Sequence, residues 1–185
     1  MLHPTQAEPG IMNPPSIRRA CKEDQDQVGA LWLRLLTEHA VLDPRVAVAD
    51  DALVRWSNDF PYAVAREQAR IFVADQEGTL VGFISARLWT PLPIYAETTE
   101  GYIDELYVVP EARRQGVGAR LVQAVKAWAA AVPAGQLRVG VLAANADGLA
   151  FWERMQAHPL AVTLTLEVAA SDPAREVTHK TRLGF

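Results

Sequence analysis

The sequence predicts an α/β (mixed α+β) fold of about four helices and six or seven strands, and three observations carry that reading. Apolar residues recur at three-and-four spacing near the beginning and again behind a glycine turn in the middle of the chain. Short β-branched and aromatic runs, cut by turn residues, lie between and after them. Half of the 185 residues are hydrophobic and 22% are charged, the balance of a packed domain and not of a disordered chain. A chain of this length closes around a single core, so residues 16–185 are read as one domain. Residues 1–15 contain four of the twelve prolines and are read as a flexible tail.

The elements follow in order. Ser16 to Ala20 is a short extended piece. Val28, Leu31, Trp32, Leu35 and Leu36 then mark an amphipathic first helix, with Glu23, Asp24 and Asp26 facing its positive dipole end and Asp43-Pro44 breaking the chain beyond its last turn. Cys21 stands where a capping residue belongs. A second helix is expected from about Asp50 towards Gln68, bending or restarting at Pro61, since proline lacks the N–H that a helix interior needs. Ile71 to Ala74 and Leu80 to Ile84 form a hairpin around Asp75-Gln76-Glu77-Gly78. A third strand, Tyr102 to Val109, stops at Pro110. The turn RRQGVG opens a helix marked by Val117, Leu121, Val125, Trp128 and Val132, which Pro133 and Gly135 end. Leu137, Val139 and Val141 alternate as a further strand, Asn145 to Gln156 reads as a short helix, and Ala161 to Val168 and Glu176 to Leu183 read as closing strands.

Several function classes are excluded at this level. A formal charge of -4 argues against a nucleic-acid partner, because such domains carry a basic excess that displaces counterions from phosphate. No apolar run approaches the roughly 20 residues that cross a bilayer. Cys21 is the single cysteine and the four histidines fall at no zinc-ligand spacing, so neither a disulfide nor a metal site is expected. These features fit a cytoplasmic location.

The chemistry concentrates between Tyr102 and Ala131. A helix start offers unpaired backbone N–H groups and partial positive charge to an anion. Gly116 and Gly118 let phosphate oxygens reach the backbone, and Arg113, Arg114 and Arg120 add charge, so the turn reads as a diphosphate cradle. The competing reading is a tight turn into an ordinary surface helix. A dinucleotide fingerprint would need a third glycine where Leu121 stands, and no Gly-Lys-Ser/Thr of a P-loop occurs.

The run ELYVVPEARRQGVGARL resembles the acetyl-CoA signature of the GCN5-related N-acetyltransferases, the GNAT family. The order of elements over about residues 16 to 169 is similar as well. This resemblance implies a central mixed, mostly antiparallel twisted sheet that is partly splayed, with acetyl-CoA between the strand at Tyr102 to Val109 and the strand at Leu137 to Ala143. It implies that Leu106, Tyr107 and Val108 supply backbone hydrogen bonds to pantetheine. Arg113, Arg114, Gln115, Gly116, Val117, Gly118 and Ala119 would hold the diphosphate, and Asn145 would face the cofactor. A homodimer is also implied by resemblance alone.

Acetyl transfer needs a neutral amine, and a lysine-like amine is neutral only about once in 2500 molecules at pH 7. Asp104 and Glu105 are the candidate proton acceptors. Strand alternation lets only one of them face the acceptor, and Asp104, on the face of Tyr102 and matching a base of some family members, is favoured. A salt-bridged or solvated strand-end acid is the alternative for either. Glu97, Glu100, Asp104 and Glu105 point to a cationic acceptor, either a small molecule or a peptide amine. Where many family members carry a tyrosine that serves the departing sulfur, this chain has Trp152, whose indole gives up no proton near neutral pH. Trp152 is therefore read as a cofactor-wall or core aromatic. The expected function is acetyl-CoA-dependent N-acetyltransfer by direct attack, and a non-catalytic CoA-binding sensor is the alternative.

Overall fold

The computed structural model describes residues 13–91, 94, 99–132 and 134–166. Nine regular elements follow one another: β1 (Ser16–Arg19), α1 (Gln25–Leu42), α2 (Ala52–Ala65), β2 (Ala69–Gln76), β3 (Thr79–Trp89), β4 (Glu100–Val108), α3 (Val117–Ala130), β5 (Leu137–Val139) and α4 (Ala146–Arg154). The strands form one sheet in sequence order. Every pairing is antiparallel except β4 with β5, which is parallel.

Period-two patterning divides the core between the two faces of this sheet. Ile71, Val73 and Phe83 look towards Val28, Leu31 and Leu35 of α1 and Phe60 of α2. Ala74, Ile84 and Ile103 look towards Val117, Leu121, Val122 and Val125 of α3. The three-and-four spacing read in α1 and α3 is the spacing of these buried stripes. Burying such side chains at roughly 1.5–3 kcal/mol each is what holds the helices to the sheet.

The start of α1 is fastened by charge. A short 3-10 turn, Lys22–Asp24, precedes the helix, and the Asp24 carboxylate accepts from the Cys21 backbone N–H at 2.8 Å, so Cys21 does occupy a capping position. The same carboxylate takes both terminal nitrogens of Arg18 on β1, at 2.7 and 2.8 Å. Arg18 also reaches Asp75 on β2 through Nε at 3.0 Å.

Three expectations need correction. The described residues contain five strands, not six or seven. Residues 161–166 make no strand pairing although Leu160, Val162, Leu164 and Leu166 alternate; these side chains are 65% to 92% exposed. Alternation prepares a face for burial, but a strand also needs a backbone partner, which a local pattern cannot supply. Residues 167 and 168 and the strand expected at Glu176 to Leu183 lie outside the described residues. The second helix does not restart at Pro61 but is continuous from Ala52 to Ala65 with the proline inside it. One missing N–H is tolerated there while buried Phe60 keeps the helix on the sheet. Finally, β5 ends at Val139, short of Val141, as the chain leaves the sheet towards α4.

Candidate active site

The parallel pairing of β4 and β5 covers only Gly101 with Leu137, Tyr102 with Arg138 and Ile103 with Val139. From Glu105 through Val108, β4 remains paired with β3 but has no partner on the β5 side. Val109 N–H donates to Val81 on β3 at 2.9 Å. Because antiparallel backbones alternate, the amides and carbonyls of Leu106 and Val108 turn to the open side, and those of Tyr107 turn to β3.

The gap leads to the start of α3. Arg120 is the first amide of this helix to find a helical carbonyl, that of Gly116 at 3.0 Å, so the preceding amides of the turn are free of helical partners. Gly116 sits at φ 78°, a left-handed conformation that favours glycine, and no atom lies within 4 Å of where its Cβ would stand. Gly118 is needed for another reason. A Cβ there would stand 3.2 Å from the Phe151 ring, so its bareness lets α4 pack on α3.

The other residues expected at this site are placed as follows. The Arg113 side chain turns away from the helix start: Nε donates to the Val108 carbonyl at 2.8 Å, and Nη2 pairs with Glu38 of α1 at 2.9 Å. Arg114, at φ 62°, makes no side-chain hydrogen bond or ion pair among the described residues. Gln115 bonds back to the Glu111 carbonyl at 2.8 Å. The Val117 side chain is buried in the core, which leaves its amide for the turn, and Ala119 follows on the first helical turn. Asn145 caps α4, its Oδ1 accepting from Gly148 N–H at 2.8 Å. Trp152 is partly buried against the α3-side core, edge-on to Phe151 with ring centroids 5.1 Å apart.

On the other face of β4 the structure overturns a step of the strand reasoning. Ser85 pairs with Glu105 but Ala86 pairs with Ile103, so Asp104 is the extra residue of a β-bulge. Alternation is broken there. Asp104 and Glu105 both line one cavity of about 480 Å³ between the sheet and α2, and neither excludes the other. Asp104 Oδ1 accepts from Arg87 Nε at 2.9 Å, and burial raises its pKa against that guanidinium. Glu105 accepts from Ser85 Oγ. Burial, reinforced by the neighbouring Asp104 charge, pushes its carboxyl up to about 7.

The cationic-acceptor reading loses part of its support. Glu100 is buried and paired with Arg138, with Gln136 donating to the same carboxylate at 2.7 Å. Glu97 lies outside the described residues. Glu38 carries no motif signal that could have revealed it, yet it also accepts from Tyr107 Oη at 2.7 Å. Ser85 and Arg87 were legible as polar positions alternating along an apolar strand.

Residues 32–157 match the family model described as the acetyltransferase (GNAT) family. The chain belongs to the GNAT acetyltransferase family. An uncharacterized N-acetyltransferase of Archaeoglobus fulgidus is 31% identical over 111 residues, 58% of this chain and 68% of that protein. Among solved structures, the tetramutant of a Bacillus halodurans protein has a TM-score of 0.75 at 21% identity, covering 83% of this chain and 99% of that one. An aminoglycoside N-acetyltransferase in complex with CoA has a TM-score of 0.65 at 14% identity, covering 83% of this chain and 98% of that one. The structural likenesses bear out the GNAT fold: a mixed sheet whose parallel pair parts partway along. No helix among the described residues is long and apolar enough to cross a membrane.

Proposed function

We propose that this acetyltransferase is acetyl-CoA-dependent and moves the acetyl group to a primary amine of a small-molecule acceptor by direct attack. The observation that carries the reading is the departure of β4 from β5 after Ile103, which opens a gap running to the uncapped start of α3. The residues present fit the donor. The open-side groups of Leu106 and the Val108 amide would hold pantetheine, the amides of Gly116 to Ala119 would hold the diphosphate, and Arg114 and Arg120 are nearby guanidiniums that make no side-chain hydrogen bond or ion pair among the described residues. Arg113, engaged with Glu38, steadies the turn instead. The aminoglycoside acetyltransferases among the structural neighbours support a small molecule, not a peptide, as acceptor.

Bound acetyl-CoA supplies an acyl carbonyl activated as a thioester. The protein must bring an amine to it in neutral form. Glu105 is the proton acceptor we assign, because a carboxyl near 7 lies only about 3 pKa units below a lysine-like amine, against about 6 for an ordinary glutamate. Ser85 holds the carboxylate in place. Asp104, held by Arg87, keeps a second negative charge beside the incoming ammonium. Trp152 can donate a hydrogen bond but releases no proton near neutral pH, so departure of the sulfur relies on its own acidity.

The alternative, a CoA-binding sensor without turnover, is favoured by the tryptophan at position 152. Two measurements separate the readings: stabilisation by CoA on heating, and thiol release from acetyl-CoA across an amine panel. Stabilisation with turnover is expected. Stabilisation without turnover on any amine supports the sensor, and no stabilisation removes both. Arg114→Glu is expected to weaken CoA binding at least tenfold, and unchanged affinity would move the diphosphate elsewhere.

A further inference from the structure

The cavity that holds Glu105 has two distinct walls. One is charged. Asp59, Asp104 and Glu105 face Arg66 and Arg87, and Asp104 is already tied to Arg87; the Arg70 guanidinium is turned away, held by the carbonyls of Arg66, Glu67 and Ala69 and lying over Trp128 of α3. The carboxylates therefore exceed the guanidiniums by one, so a first ammonium is attracted while each further positive charge meets Arg66 or the already neutralised Asp104–Arg87 pair. A single ammonium, seated at Glu105, is what this arrangement accommodates.

The other wall is aromatic. Trp32, Trp56 and Phe60 form a continuous ladder, with ring centroids 5.6 Å and then 4.8 Å apart and interplanar angles of 26° and 35°. Trp56, Phe60 and Phe83 line the cavity itself. The ladder is seated from below: a Cβ at Gly29 of α1 would stand 2.9 Å from Trp56 Cζ3, so glycine lets the indole lie against that helix. Phe60 is 2% exposed and Trp56 only partly exposed, which leaves the ladder few alternative positions. Flat rings at this spacing accept a further ring by stacking or edge contact, and a cavity of about 480 Å³ lies in the range of small-molecule sites.

We infer that the acceptor is a primary monoamine carrying one aromatic ring on a short chain, its ammonium at Glu105 and its ring on Trp56, which buried Phe60 backs. This rests on the acetyl-transfer reading for its chemistry, but the recognition it describes can be measured without turnover. Selectivity comes from apolar contact and a single charge, and polyamines and aminosugars are disfavoured by Arg66 and Arg87.

The test uses the whole chain with saturating CoA and four probes: phenethylamine, butylamine, spermidine and kanamycin. Binding is followed by quenching of tryptophan fluorescence and by thermal shift, and turnover by thiol release from acetyl-CoA. Phenethylamine is expected to bind at least tenfold more tightly than butylamine, and more tightly than spermidine or kanamycin. Its kcat/KM should exceed theirs in the same order. In Trp56→Ala the phenethylamine-to-butylamine ratio should fall about tenfold; as a ratio within one variant it does not depend on the fraction folded. Equal binding of phenethylamine and butylamine, or preference for spermidine or kanamycin, overturns the inference. Selective phenethylamine binding without thiol release upholds it while removing the acetyl-transfer reading. Thiol release from the polycations alone does the reverse.

Discussion

Asp24, where α1 begins, and Glu105, in the middle of β4, are both carboxylates largely withdrawn from water, yet they are driven in opposite directions. Asp24 is held down at about 2, because Arg18 grips both of its oxygens and the Cys21 amide adds a third hydrogen bond. Glu105 rises to about 7, because burial dominates and its nearest charge is the like charge of Asp104. Burial alone therefore says little about a carboxylate. A matched guanidinium converts it into a structural fastening, and the absence of one leaves a group that exchanges a proton near neutrality.

The contrast is broken most severely by Glu105→Gln. Removing the proton acceptor we propose is expected to lower kcat/KM by about 100-fold or more at pH 8 without moving CoA affinity, as measured by thiol release and thermal shift. In the wild type, activity should rise with pH through about 7 as Glu105 ionises, and the variant should lose that limb. Asp24→Ala, by contrast, should leave the amine preference intact and cost about 2 kcal/mol of folding stability in urea titrations, since it removes the hydrogen bonds from Arg18 and the Cys21 amide and leaves Arg18 with Asp75 alone.

The signs of the pH dependence sharpen the comparison. Asp24, with a depressed folded pKa, contributes stability that is fully present above about 3.8 and lost as pH falls through about 2. Glu105, with a raised folded pKa, contributes stability that is present below about 4.5 and lost as pH rises through about 7. Glu105→Gln should accordingly flatten the decline in melting temperature between pH 5 and 8, and be the more stable protein at pH 8 by about 2 kcal/mol. The smallest effect concerns packing. Gly118→Ala, pressing on Phe151, should cost about 1 kcal/mol by denaturant titration, with CoA affinity reduced only through the displaced helix start.

The fold and half of the site were legible locally. Three-and-four spacing in Val28 to Leu35 and Val117 to Val125, alternation in β2, β3 and β4, and the Arg-x-x-Gly-x-Gly turn all act over a few residues, and the structure carries each of them. The closing strand at Ala161 was overread, because alternation there finds no partner. Arg113 was assigned by its place in the motif, but Glu38, 75 residues away in the chain, holds its guanidinium.

By itself, then, the sequence determined the order of elements, the two buried stripes that seat helices on opposite faces of the sheet, and the glycine turn at the head of α3. Period and spacing are written within one segment, and the hydrophobic effect reads them there. Only the tertiary structure decided that Asp104 and Glu105 share a cavity, that Glu105 rather than Asp104 lacks a cationic partner, and that Trp56 and Phe60 stand across from them. A one-residue bulge changed which way a side chain points, and desolvation depends on everything packed around a group. Neither is a property of any stretch of chain read alone.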